Sequence, residues 1–192
     1  MERQFDTEKE FKVKLAKSLE LYDCDVFLDQ NDCDNLPTFH GDRERPDILL
    51  FFNGCKKENK QIQIKNPLAL ELKNIIRTNK FSNITKSILQ IDKYFENEYY
   101  TNEWEGKIKN IALATPHSVF RENTYEWVNG DESFHGGVDW TTRRILWTIS
   151  NKAGVLKRSS QDKYYIHYHN SRFFLDNDGK FKSKYDLGDY NS

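Results

Sequence analysis

Arg45-Pro46-Asp47-Ile48-Leu49-Leu50-Phe51-Phe52 and Leu68-Ala69-Leu70-Glu71-Leu72-Lys73-Asn74 are two apolar runs with charge set into them. Each has the length and composition of a strand. The first is apolar at consecutive positions, which predicts a strand from Asp47 to Phe52 covered on both faces. In the second, alternation places Glu71 and Lys73 on one face and Leu70 and Leu72 on the other. A charge within a buried strand is costly unless it is paired, neutralised or placed at a metal. Asp47, Glu71 and Lys73 are therefore candidates for a site.

Upstream of these runs, Thr7 to Tyr22 predicts a helix, because Phe11, Leu15, Leu19 and Tyr22 recur at helical spacing. Thr7 followed three residues later by Glu10 is a capping-box pattern. Asp25 to Asp29 reads as a short strand, and Gln30 to Glu44 is polar and turn-rich. Asn53-Gly54 opens a turn with a polar tip at Lys56 to Lys60, and Gln61 to Lys65 alternates as a half-exposed strand does. Asn66-Pro67 breaks that strand before Leu68 to Lys73.

Downstream, Ser82 to Tyr99 predicts a helix with Ile84, Ile88, Ile91 and Phe95 as its stripe. Ile108 to Ala114 predicts a strand ended by Thr115-Pro116. His117 to Trp140 is irregular. Thr141 to Lys152 predicts a helix carrying Ile145, Leu146 and Ile149, and Lys163 to His169 and Arg172 to Leu175 predict strands. The tail from Lys184 is expected to be loose. This order predicts one α/β domain over residues 1–192, with a mixed central sheet flanked by helices. Its core would span about residues 7–116, with a helix and hairpin over 141–183 added to it.

The chain has 192 residues, 31% charged and 37% apolar, and a net charge of −1. No apolar run approaches the roughly 20 residues of a membrane span. The start Met1-Glu2-Arg3-Gln4-Phe5-Asp6 predicts no signal peptide and an intracellular, cytoplasmic protein. Cys24, Cys33 and Cys55 lack a framework spacing and read as free thiols. Cys24 and Cys33 with His40 offer at most three zinc ligands. The near-neutral sum conceals an acidic zone from Glu20 to Asp47 and a basic one from Lys56 to Lys93, with a further basic stretch from Arg143 to Lys184. An acidic zone beside a basic one suits a metal site next to a phosphate track.

An acid, any residue and a lysine occur in that order five times: Glu10-Lys12, Glu58-Lys60, Glu71-Lys73, Glu105-Lys107 and Asp178-Lys180. Only Glu71-Leu72-Lys73 ends an apolar strand, and only it has a Pro-Asp strand just upstream. With the Asp47 strand alongside, two carboxylates and the Leu72 carbonyl could hold Mg²⁺. A metal so held polarises a phosphate and lowers the pKa of a bound water, while Lys73 orients that water or stabilises the developing charge. The bland alternative is a Glu71–Lys73 salt bridge on a sheet face, with Asp47 opening a strand.

Pro46-Asp47 followed by Glu71-Leu72-Lys73 resembles the signature of the PD-(D/E)XK nuclease superfamily, with a Lys-rich hairpin filling a long interval. Gln90-Ile91-Asp92-Lys93-Tyr94 is similar to the QxxxY motif of its RecB-like branch, seventeen residues after Lys73. The resemblance covers Glu8 to Tyr94. It implies a restriction-endonuclease-like fold, Mg²⁺ or Mn²⁺, and hydrolysis of DNA to 5′-phosphate and 3′-hydroxyl ends. It implies Asp47 and Glu71 as metal ligands with Leu72, Lys73 at the nucleophile, and Gln90 and Tyr94 in support. It also implies an acid early in the first helix. Glu8 is preferred because it shares the inward face with Phe11 and Leu15, whereas Glu10 has a capping role. Iron–sulfur members use four cysteines, so a cluster is not expected here.

The competing expectations are a Holliday-junction resolvase or restriction-type endonuclease, for which a homodimer is open, and a non-catalytic nucleic-acid-binding protein on the same scaffold. His117, and His135 among Asp131, Glu132 and Asp139, read as loop residues. His167 and His169 read as an exposed strand face. Among Trp127, Phe134, Trp140 and Trp147, base stacking is conceivable, but core packing is the expectation, particularly for Trp147.

Overall fold

The structure, a computed structural model, describes residues 7–22, 24–52, 55–57, 60–62, 67–73, 80–119, 145–150, 153–158, 164–167, 172–175 and 181–183. Helix α1 (Glu8–Leu19) leads into β1 (Cys24–Leu28), β2 (His40–Gly41) and β3 (Ile48–Phe52). The hairpin β4 (Cys55–Lys57) and β5 (Lys60–Ile62) precedes β6 (Leu68–Leu72) and α2 (Lys80–Tyr94). Then come β7 (Glu98–Tyr100), β8 (Glu105–Lys107), β9 (Asn110–Ala114) and the short α3 (Pro116–Val119). The chain closes with β10 (Ala153–Arg158), β11 (Tyr164–His167), β12 (Arg172–Leu175) and β13 (Phe181–Ser183).

Eight strands form one mixed sheet in the order β1-β3-β6-β9-β10-β11-β12-β13. β1, β3 and β6 are antiparallel neighbours, β6, β9 and β10 run parallel, and β10 to β13 alternate again. Parallel neighbours need a crossover, and the chain between β6 and β9 that contains α2 supplies one. The α/β class and mixed central sheet match expectation.

At its centre, in β3, β6 and β9, the sheet is buried on both faces, and this explains the unbroken apolar character of β3. Ile48, Leu50, Leu68, Leu70 and Leu72 pack with Phe11, Leu15, Ala16 and Leu19 of α1. Their alternates Leu49 and Ala69, with Ile111 and Leu113 of β9, pack with Ile88, Ile91 and Tyr94 of α2. The α1 N-terminus is fixed by its capping box: the Thr7 hydroxyl accepts from the Glu10 amide at 3.1 Å, and the Glu10 carboxylate accepts from the Thr7 amide at 3.2 Å.

Several expectations are corrected. α2 ends at Tyr94, not Tyr99, because Glu98–Tyr100 pairs with β2 and β8 in a second sheet. Burial of the Tyr99 ring beside Phe39 and Gly41 outweighs continuing the helix. The central strand β10 was not foreseen, since its apolar part is only Ala153-Gly154-Val155-Leu156 before Lys157 and Arg158. Residues 145–149 are helical, but Trp147 and Ile145 are exposed rather than core. The buried position there is Leu146, and Trp147, one residue on, is turned about 100° from it. Asp131, Glu132, His135, Asp139, His169, Trp127, Phe134, Trp140 and the His117 side chain lie outside what the structure describes. Among the described residues no helix is long and apolar enough to cross a membrane.

Candidate active site

The β3–β6 ladder decides which charges meet. Its antiparallel register pairs Ile48 with Leu70 and Leu49 with Ala69, so one step further Asp47 stands opposite Glu71. The Asp47 amide donates to the Leu70 carbonyl at 2.9 Å. On the other side of β6, Glu71 pairs with Leu113, and the Lys73 amide donates to the Ala114 carbonyl at 3.0 Å. The site therefore sits where β3 begins and β6 and β9 end. α1 reaches it from one face of the sheet and α2 from the other.

The side chains form a short chain of contacts. Asp47 Oδ2 accepts from the Leu72 amide at 2.7 Å. Lys73 Nζ lies 2.9 Å from Glu71 Oε1 and 3.4 Å from Glu8 Oε1. Tyr94 Oη donates to Glu71 Oε2 at 2.9 Å. Glu71 is only 2% exposed, while Glu8 is 45% exposed. Of the two candidate helix acids, Glu8 reaches Lys73 and Glu10 closes the cap. Gln90 is half-buried one turn before Tyr94, and among the described residues no hydrogen bond ties it to Asp47, Glu71 or Lys73. Tyr94 is buried in the same core cluster as Ile91.

A buried carboxylate (Glu71) and a half-buried one (Asp47) facing each other resist ionisation. Burial, reinforced by the charge of Glu71, pushes Asp47 up to about 8, against the pull of the Leu72 amide, Lys73 and Lys12. Burial also raises Glu71, with Lys73 and Tyr94 opposing the rise. Burial would lower Lys73, but the charge and hydrogen bond of Glu71 raise it on balance, so it stays an ammonium. Burial and then the Glu71 charge raise the Tyr94 hydroxyl, keeping it a donor.

Behind Asp47 lies a network that sequence reasoning missed. Lys12 is 6% exposed on the inner side of α1. Its Nζ contacts Asp29 Oδ1 at 2.7 Å and Asp32 Oδ2 at 2.5 Å, and lies 3.9 Å from Asp47 Oδ1. Burial opposes its charge, yet Asp29 and Asp32 raise its pKa on balance. The signal in the sequence was its spacing: Lys12 precedes Leu15 and Ala16 by three and four residues and so falls on the apolar stripe. Lys12→Met is expected to cost about 3 kcal/mol, because Asp29 is left without its cation and Asp32 keeps only the exposed Lys9, 3.1 Å away. Adding Asp29→Asn and Asp32→Asn should recover much of that loss. Urea unfolding at pH 7 checks both; a loss below about 1 kcal/mol for Lys12→Met would mean the network is only a surface ion pair.

Among the described residues no group of three or more His, Cys, Asp or Glu side chains is arranged to hold a metal ion. Cys24 is buried and donates to the Leu19 carbonyl at 3.3 Å. A pair of carboxylates still suits Mg²⁺, which is commonly bound through one or two carboxylates and keeps several waters. Burial raises both acids, with the Glu71 charge adding to the rise of Asp47 and the Glu8 charge to that of Glu71, and a dication beside them would favour their charged forms. Asp47 and Glu71 would hold it. What Leu72 offers in this structure is its amide, donated to Asp47. No family model, no curated protein and no solved structure matches the chain.

Proposed function

We propose that the chain is a metal-dependent nuclease that hydrolyses DNA phosphodiester bonds by water attack. The reading places it with the RecB-like branch of the PD-(D/E)XK superfamily, on a restriction-endonuclease-like sheet. The observation that carries it is the meeting of Asp47, Glu71 and Lys73 at one end of the β3–β6 ladder, with Tyr94 on Glu71.

Mg²⁺ or Mn²⁺ held by Asp47 and Glu71 would polarise the phosphate and lower the pKa of a bound water. Lys73, with three donors, is steadied by Glu71 and Glu8 and keeps hydrogen-bonding capacity for the attacking water. Tyr94 fixes the Glu71 carboxylate from the α2 side. Gln90 and Glu8 support from the two helices.

The test is a panel of linear, circular, single-stranded and branched DNA with Mg²⁺, Mn²⁺ or chelator. Cleavage that needs Mg²⁺ or Mn²⁺ and stops with chelator is the expected result. A dimer preferring four-way junctions would favour a resolvase. The Glu71–Lys73 pair is also what a non-catalytic DNA-binding protein on this scaffold would retain; binding without cleavage of any substrate would establish that reading instead.

A further inference from the structure

The segment ahead of Asp47 reads His40-Gly41-Asp42-Arg43-Glu44-Arg45-Pro46. Its backbone is held at several points. β2 pairs with β7 through His40–Tyr100 and Gly41–Tyr99, and the Asp42 amide donates to the Glu98 carbonyl at 3.4 Å. The Glu44 carbonyl accepts from Asn97 Nδ2 at 3.1 Å and from Tyr99 Oη at 3.0 Å. The Glu44 carboxylate pairs with Lys93 Nζ at 2.7 Å.

The acid between the two arginines is thus turned to another element. Among the described residues neither Arg43 nor Arg45 makes a hydrogen bond or ion pair. The charges left in the segment are two guanidiniums and the exposed Asp42 carboxylate. Arg45 is half-buried, and its stem is seated: a Cβ added to Gly41 would lie 2.7 Å from Tyr99 Cδ1 and 3.2 Å from Arg45 Cγ. A partly desolvated guanidinium without a partner among the described residues is unfavourable unless another group completes it. Its planar fork of donors matches a phosphate. Arg45 precedes Asp47 by two residues, so their Cα atoms are at most about 7 Å apart.

We propose that Arg43 and Arg45 are a phosphate clamp beside the candidate active site, holding a backbone phosphate of the DNA next to the one attacked. The bracing by Asn97, Tyr99 and Lys93 keeps the segment in place before substrate arrives. The proposal rests on the nuclease reading for its substrate, but it can be tested apart from cleavage.

Binding of fluorescein-labelled single-stranded and duplex DNA of about 20 nucleotides is followed by anisotropy in EDTA over a series of salt concentrations. Arg43→Gln with Arg45→Gln is expected to weaken binding about 10- to 100-fold and to lower the salt slope by up to about two. Lysine at both positions should keep most of the slope and recover only part of the affinity, because an ammonium lacks the fork. Arg43 is exposed, so Arg43→Gln alone reports on binding without a cost to the fold, and a smaller loss is expected from it. An unchanged Kd and slope in the double variant overturns the clamp, and so does failure of the parent to bind either DNA. A parent that binds through the arginines but cleaves nothing keeps the clamp and loses the nuclease reading. One that cleaves while the double variant binds normally does the reverse.

Discussion

Lys73→Met is expected to reduce metal-dependent DNA cleavage by about 10²–10³-fold or more, the loss typical of removing a group that stabilises charge only in the transition state. The fold should survive. Lys73 is partly exposed and lies 2.9 Å from Glu71 Oε1, so its removal leaves Glu71 buried with only the Tyr94 hydroxyl. Glu71 can answer by holding its proton, since its pKa is already raised. The sign follows from that. A buried acid with a raised pKa makes the folded state bind the extra proton, so stability falls as pH rises. The Lys73→Met protein should thus be close to its parent near pH 5 and weaker than it near pH 8. Lys73→Arg separates two roles: it should restore stability at pH 8 by pairing with Glu71, yet leave cleavage low, because a planar guanidinium does not replace an ammonium at a water. Chemical denaturation at the two pH values and single-turnover cleavage measure this. Cleavage by Lys73→Met within a few-fold of the parent would leave Lys73 as a salt-bridge partner and nothing more.

What could be read beforehand was whatever local rules decide. Thr7 and Glu10 marked the start of α1, because a capping box needs only four consecutive residues. β3 and β6 were legible because strands buried on both faces leave apolar runs. The partnership of Asp47 and Glu71 was legible only as a condition. It depends on β3 and β6 being neighbours in one register, and the intervening hairpin hides both. Lys12 escaped because a lysine on a helix normally reads as solvent-facing; its partners Asp29 and Asp32 follow β1 and meet it only in the fold. β10 escaped because its short run contains Gly154 and gives way to Lys157 and Arg158, and its support comes from β9 and β11. Tyr99 was assigned to a helix because aromatic spacing is shared by helices and edge strands, and the ring's partners Phe39 and Gly41 lie far back in the chain. The missed features all depend on contacts between distant segments, which no local pattern carries.

Asp47→Asn should abolish cleavage and at the same time stabilise the metal-free protein. The side chain keeps its shape, and its oxygen can still accept the Leu72 amide, so the β3–β6 junction is not disturbed. What goes is a carboxylate that burial and Glu71 hold up to about 8, against an ordinary value near 3.9. Between those values the folded parent binds more protons than the unfolded chain. Its stability therefore declines as pH rises through that window, and levels off above the folded pKa. The asparagine protein lacks this term. Below about pH 4 the carboxyl is protonated in the unfolded chain as well as in the folded one, as neutral as the amide, and there the two proteins should melt together. By pH 8 the variant should lead by several kcal/mol, read as a clearly higher Tm. Adding Mn²⁺ should reverse the ranking. The parent gains stability from a ligand that binds only its folded state, and gains more as pH rises, because metal binding must release the Asp47 proton. The variant, short of one ligand and one charge, should gain little. Equal melting at pH 8 without metal would show that burial and Glu71 do not hold the Asp47 carboxyl up. An equal Mn²⁺ response in both proteins would remove Asp47 from the metal site. A stabilised, inactive variant blind to Mn²⁺ would mean that this chain holds an unfavourable pair of acids in its core for the sake of the ion they bind.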